Sequence, residues 1–399
     1  MNKQKSDGAI ATRSVHNARD PSIQNGMVNT PVYHASTIIH DTVNDLENAK
    51  LNINTKDALI YGRLGTPTTF AFENSVADLE GGYGALAVSS GLAAITTAIM
   101  AFVRSGDHIL VANSVYYPTR HFCDYSLQRV GVDVTYYDPS IGDSISTLFQ
   151  ENTRLIFMES PGSNTFIVQD VPAIAEVAAA SNIVTILDNS WASPIFFRPL
   201  EHGVNVCVVA ATKYLSGHSD TMLGVIIADE SHYPAVRNCR DEYGQCVGPD
   251  DLYLGLRGIR TLATRMQQHD RSGRAIAQWL SQQPGVLRVL HPALPDSIGH
   301  EIWKRDFDGA SGLFGFELES RSRDAAVSML EGMRYFAMGF SWGGFESLLI
   351  PVDSSGGRKS VDWSSDRRLF RIHVGLEDVS DLIADLESGL QRYFDCNSI

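Results

Sequence analysis

Cysteine is scarce in this sequence. The five present (Cys123, Cys207, Cys239, Cys246 and Cys396) are odd in number and show no C-x-x-C spacing. That argues against a disulfide frame or a zinc site and for reduced, structural thiols, and no metal is expected. Positive charge is also short: 32 Lys and Arg stand against 46 Asp and Glu, a formal net charge of −14. Such a surface repels phosphate backbones and anionic lipid, so nucleic acid and membranes are poor partners, although a local basic pocket for a small anion is compatible with it. There is no clean spanning segment, because the longest apolar stretch, 85–103, is broken by Ser89, Ser90, Gly91, Thr96 and Thr97. The first ten residues, MNKQKSDGAI, hold two lysines but no apolar core of a secretory signal. A cytoplasmic protein is expected. Neither a Walker loop nor a G-x-G-x-x-G fingerprint is present, which disfavours a nicotinamide dehydrogenase.

What is there is ordinary globular material. The chain has 399 residues, 44% hydrophobic and 20% charged, enough for two or three domains with a sizeable core. Residues 1–60 lack sustained periodicity, apart from short helical pieces such as 41–50, and read as an arm that packs on a neighbouring subunit. From residue 61 to 255 short apolar runs (85–88, 108–112, 132–136, 155–158, 184–187, 206–210 and 224–228) alternate with helix-length stretches (70–80, 92–103, 117–130 and 171–180). Strands apolar on both faces, alternating with helices, predict an α/β domain around a mostly parallel sheet. Residues 256–399 predict a smaller α+β domain: a long helix over 261–283, strands at 286–290, 313–318 and 369–374, and a closing helix over 379–393. In such parallel sheets ligands sit beyond the carboxyl ends of the strands.

Three polar segments fall at such places. Ser89-Ser90-Gly91-Leu92 is a strand-to-helix turn, where free N–H groups and the helix dipole suit a phosphate; alone it reads as a plain N-cap. Asp188 follows the 184–187 run, where alone it reads as an Asx turn. Lys213, in Ala210-Ala211-Thr212-Lys213-Tyr214-Leu215-Ser216-Gly217-His218-Ser219, follows a Val/Ala strand. Desolvation there would lower its amine pKa, as a Schiff-base lysine requires, whereas a random lysine would simply be solvated. Together they are the set that pyridoxal phosphate needs: a lysine for its aldehyde, a carboxylate for its pyridine nitrogen and turn amides for its phosphate.

At these residues the chain resembles the cysteine/methionine-metabolism pyridoxal-phosphate enzymes of fold type I (aspartate-aminotransferase-like), from about Thr30 to the closing helix. The segment ATKYLSGHSD matches that family's lysine signature. Asn205, eight residues before Lys213, stands where the family usually has Asp, at a position read as structural. The resemblance implies further roles. Tyr61 and Arg63, in Tyr61-Gly62-Arg63-Leu64-Gly65-Thr66-Pro67-Thr68, would reach the cofactor phosphate of a neighbouring subunit, and Tyr61 the substrate as well. Tyr116 would stack on the cofactor ring and assist proton transfer, with Tyr117 a rival. Ser90, Gly91, Leu92 and Thr212 would hold the phosphate, while a second family hydroxyl is replaced by Ala210 and Ala211. In Glu159-Ser160-Pro161-Gly162-Ser163, Ser163 or the following Asn164 would lie near cofactor and substrate. Arg371, within Leu369-Phe370-Arg371-Ile372-His373-Val374-Gly375-Leu376-Glu377, would grip the substrate carboxylate, as its planar fork suits.

Fold does not choose among β-elimination, γ-elimination and γ-replacement. Ser341-Trp342-Gly343-Gly344, the segment Gly299 to Phe307, and Pro161-Gly162-Ser163 each resemble the β-eliminating members. The implied reaction is cleavage of L-cystathionine to homocysteine, pyruvate and ammonia. Lys213 would be the base, Asp188 would keep the ring nitrogen protonated, Ser341 and Arg371 would orient the carboxylate, and Trp342 would shape the thioether pocket. A γ-acting relative, a broader cysteine desulfhydrase, and a non-catalytic protein of the same fold are the alternatives. The shared Tyr61 and Arg63 require at least a dimer, and the resemblance implies a homotetramer.

Overall fold

A computed structural model describes residues 8–53, 55–352 and 367–396. The first seven residues, which enter the reading of the N-terminus above, lie outside them.

The arm carries two short helices, α1 (Ile10–His16) and α2 (Val43–Leu51), with no buried residue in α2. The first large-domain helix, α3 (Pro67–Glu80), begins three residues earlier than the periodicity predicts. Thr66 and Thr69 form a capping box, Pro67 fills the first helical position, and Gly81 (φ +74°) closes the helix in the left-handed region. Then follow β1 (Gly84–Val88), α4 (Gly91–Met100), β2 (His108–Ala112), α5 (Tyr117–His121), β3 (Asp133–Tyr137), β4 (Thr153–Glu159), α6 (Val171–Ala180), β5 (Val184–Asp188), β6 (Val206–Val209) and β7 (Gly224–Ala228). The 117–130 stretch is not one α-helix: after α5 it widens into π-helical turns over Phe122–Leu127.

The large sheet has the order β1-β7-β6-β5-β4-β2-β3. β2 to β6 run parallel, while β7 lies antiparallel between β1 and β6. α4 packs over β6 and β7 and α6 over β5, so strands such as β1, β2 and β6 are buried along their whole length. That is why they read as unbroken apolar runs.

A helix that was not foreseen, α7 (Pro249–Ile259), precedes the predicted one over 261–283, which is α8 (Leu262–Leu280). Thr261 sits between them, its hydroxyl donating back to the Gly258 carbonyl at 3.2 Å, the kind of local bond with which threonine competes against helical continuation. Beyond it come β8 (Val286–Leu290), β9 (Leu313–Glu319), α9 (Arg323–Glu331), β10 (Leu348–Pro351), β11 (Arg367–His373) and α10 (Val379–Asp395). α9 and β10 were not foreseen. The four strands form an antiparallel sheet, β10-β11-β9-β8. One face packs against α9 and α10 around Phe314, Phe316, Phe370 and Tyr393.

A candidate active site at the carboxyl edge of the large sheet

Parallel strands end together, and here the ends carry the chemistry. Asp188 is the last residue of β5 rather than the residue after it, paired in register with Glu159, the last of β4. Asp188 is 7% exposed, and the Ser190 N–H donates to its Oδ1 at 2.9 Å. Burial raises its carboxyl pKa, against the hydrogen bonds from Ser190 and the charge of Lys213. Glu159 is pushed well above the usual carboxylate range by burial and by Asp188 beside it.

Lys213 follows β6 by four residues, and a backbone bond from its N–H to the Ala210 carbonyl (2.9 Å) turns the chain there. Its Nζ donates to Ser341 Oγ and lies 5.1 Å from the centre of the Trp342 ring. Burial first, then the Arg371 charge, lowers the amine pKa from 10.5 to about 8, with Asp188 opposing. This is the desolvated lysine that the strand-end position predicted.

Arg371, on β11, comes from the small sheet. Its Nη2 donates to the Ser341 carbonyl at 3.2 Å, and burial lowers its guanidinium pKa to about 10, against its attraction to Tyr116. Tyr116 caps α5 with its backbone, and its N–H donates to Glu159 at 2.7 Å. Burial raises its phenol pKa; Glu159 and Asp188 push the same way and Arg371 opposes. The fields of the site therefore reach Tyr116. Its rival Tyr117 stands edge-to-face on His121 at 6.1 Å.

At the β1–α4 turn, Ser90 Oγ accepts from the Ala93 N–H at 3.1 Å. Ser90 is thus an N-cap in fact, and the Gly91 and Leu92 N–H groups precede the first intrahelical bond, Ala94 N–H to Ser90 O at 3.0 Å. Two glycines allow the close packing here. A Cβ on Gly91 would meet Ala210 Cβ at 2.6 Å, and one on Gly224 would meet the Ser90 carbonyl at 2.0 Å. The Thr212 hydroxyl is engaged with Leu223, donating to its carbonyl at 3.1 Å and accepting from its N–H at 2.8 Å. The Ser190 hydroxyl, which the sequence reading missed, accepts from the Ala210 N–H at 2.7 Å.

Other expected residues stand further off. Ser163 donates its N–H to the Ser114 carbonyl at 2.7 Å, and Asn164, at φ +58°, has a buried Oδ1 without a partner. Tyr61 and Arg63 are exposed. Tyr61 bridges to Thr37, and Arg63 Nη1 donates to the Asp241 carbonyl at 3.0 Å. Within one chain the described contacts do not bring either of them to Lys213. The Asn205 amide oxygen accepts from the Thr185 N–H at 3.0 Å and its Nδ2 donates to Asp229 at 3.3 Å, joining β5 to the end of β7, so that position is structural. Glu159 could have been found by the rule that found Asp188, since both end a buried strand.

A desolvated amine, a buried carboxylate at the neighbouring strand end and a helix start with open N–H groups define an enzyme that holds a phosphorylated aldehyde cofactor through a lysine. The donor set fits that cofactor, and so does the glycine-lined turn.

Known proteins agree. The sequence model for "Cys/Met metabolism PLP-dependent enzyme" matches residues 11–391, and the chain belongs to that family. Its cofactor is pyridoxal 5′-phosphate and its fold is PLP fold type I. The chain is 46% identical over 387 residues to a putative cystathionine beta-lyase of Rhizobium johnstonii, covering 96% of each. It is 41% identical over 394 residues to cystathionine beta-lyase MetC of Escherichia coli, covering 97% of this chain and 99% of that one. It is also 41% identical over 377 residues to an L-alanine/L-glutamate racemase of Wolbachia pipientis, covering 92% of this chain and 93% of that one. The crystal structure of metB from Corynebacterium glutamicum superposes with a TM-score of 0.88 at 30% identity, covering 96% of this chain and 98% of that one.

Proposed function

We propose that this enzyme cleaves L-cystathionine by α,β-elimination, giving homocysteine, pyruvate and ammonia. The observation that carries the reading is the placement of Ser341 and Trp342, from the segment that resembles the β-eliminating members, directly against the Lys213 amine. The relatives named as cystathionine beta-lyases support it.

When bound, the cofactor supplies an electron sink for the carbanion formed at the substrate α-carbon. Lys213 holds its aldehyde and, when free, takes the α-proton; an amine titrating near 8 is well matched to that task at neutral pH. Asp188 would stabilise the proton on the cofactor's ring nitrogen. Ser90, Gly91, Leu92 and Thr212 take the phosphate, and for Thr212 this means sharing a hydroxyl now given to Leu223. Tyr116 would stack on the ring and assist the proton transfer. Arg371 and Ser341 orient the α-carboxylate, Trp342 walls the thioether, and Ser163 or Asn164 contacts cofactor or substrate. Tyr61 and Arg63 act on a neighbouring subunit's site. Exposed Ile23, Val28, Ile39 and Leu51 suit an arm that packs on a neighbouring subunit; the proposed assembly is a homotetramer built from dimers, and the proposed location the cytoplasm. Residues 1–60, 61–255 and 256–399 are the proposed arm, cofactor domain and C-terminal domain. No helix among the described residues is long and apolar enough to cross a membrane.

The test is a keto-acid assay on L-cystathionine with the yellow holoenzyme. Pyruvate is expected, and 2-oxobutyrate would indicate a γ-acting enzyme instead. Lys213→Ala should lose both the colour and the product. Arg371→Ala should raise KM roughly tenfold to a hundredfold while keeping the cofactor; loss of cofactor would refute its role. The racemase among the relatives gives a second reading, because racemisation begins with the same proton removal. Interconversion of alanine enantiomers without pyruvate from cystathionine would favour it.

A further inference from the structure

The segment from Ser341 to Ser347 carries two of the site side chains yet has no regular secondary structure. Ser341 is a non-glycine residue at φ +76°, and Gly343 sits at φ +86°, so this backbone is costly to hold and needs outside support. Gly343 also presses on the lysine segment: a Cβ there would lie 2.9 Å from the Tyr214 nitrogen and 3.0 Å from Lys213 Cα. Any shift of Gly343 is therefore felt at Lys213.

The support comes from β11. The Gly343 N–H donates to His373 Nε2 at 3.0 Å, and His373 Nδ1 lies 3.1 Å from the Glu346 carbonyl. Because Nε2 accepts, the ring proton must sit on Nδ1 and donate to Glu346, which leaves one neutral tautomer. His373 is 1% exposed. Burial, His269 (ring centres 5.3 Å apart), Arg371 and Lys213 keep it uncharged, with the Glu346 bond opposing. Two residues earlier on the same strand face, Arg371 takes the Ser341 carbonyl at 3.2 Å. The Leu376 N–H ties the Phe345 carbonyl at 2.9 Å, and the Ser347 N–H is tied to Glu377 at 2.8 Å.

We infer that His373 is a positioning residue: by bonding Gly343 and Glu346 at once it fixes the loop that holds Ser341 on the Lys213 amine and Trp342 over it. The inference rests on the roles given above to Lys213, Ser341 and Trp342. It predicts that a replacement able to accept from Gly343 will serve and one that cannot will not.

The experiment compares the holoenzyme with its His373→Leu and His373→Gln variants. Amide exchange of the 341–347 peptide is read by mass spectrometry, beside KM, kcat and the absorbance of the bound cofactor. In His373→Leu, exchange and KM should each rise roughly tenfold to a hundredfold, with kcat changed less and cofactor content unchanged. Glutamine offers both an acceptor and a donor and should restore most of the loss. If His373→Leu does not fold, His373→Asn replaces it; its shorter amide reaches Glu346 but not Gly343, so it should show the same rise. Unchanged exchange, or a glutamine variant no better than the leucine or asparagine one, would overturn the inference. The exchange measurement needs no substrate, so it stands even if cystathionine proves not to be turned over.

Discussion

The Lys213 amine offers a prediction in which sign, size and cause can all be checked. Its midpoint near 8 rather than 10.5 makes it free roughly 300 times more often at pH 7 than an ordinary lysine. In the apoenzyme, reductive methylation with formaldehyde, a neutral reagent, follows the free amine, and peptide mass spectrometry reads Lys213 separately from other lysines. Its labelling rate should climb tenfold per pH unit and level off near pH 8, while exposed lysines keep climbing beyond 10. The Arg371 charge is the second cause of the shift, so Arg371→Met should move the break upward, by about one pH unit or less because burial dominates. Asp188 opposes the shift, so Asp188→Asn should move the break down. A Lys213 profile with no break below 10, or a break that ignores Arg371, would refute the account of a desolvated amine beside a guanidinium.

Two further outcomes test other parts of the molecule. Arg63→Ala and Lys213→Ala should each be inactive alone, yet after unfolding and refolding together they should recover about a quarter of parental activity. Half the random pairs are mixed and half the sites of each mixed pair are intact; no recovery would place Arg63 outside a shared site. Glu80 is fully buried, receives the Asn189 amide at 3.2 Å, and has its pKa raised by burial to about 8. Its stabilising effect is complete below the unfolded value of 4.5 and disappears as pH rises through 8. Relative to the parent, Glu80→Gln should therefore gain about 4 kcal/mol in urea unfolding between pH 5 and pH 9, and an equal gap at both pH values would contradict this.

Much of this was legible in the sequence because the large sheet is buried on both faces. Its strands appear as short Val/Ile runs, and a polar residue at the end of one stands out, as Asp188 and Lys213 do. Helix ends were less legible. α3 starts at a Thr66–Thr69 capping box hidden inside a motif read for chemistry, and α7, which ends two residues before Thr261, was not foreseen. β10 escaped because a four-residue strand with one buried residue, Leu349, is too short to show a pattern. His373 was quoted as part of a motif but given no role, since a histidine between apolar neighbours reads as a core residue until its two backbone partners are known. Tyr61 and Arg63 were named by resemblance, and the contacts described within one chain do not bring them to Lys213.

Asp188 ends one strand of the large sheet and Lys213 follows its neighbour by four residues, whereas Arg371, Ser341 and Trp342 arrive from a different sheet and an irregular loop. On the roles proposed above, reactivity and substrate choice lie in separate stretches of the sequence. Drift at Trp342, with Gly343 kept against Lys213, would retune which amino acids are accepted, and a library aimed at new substrates would begin there.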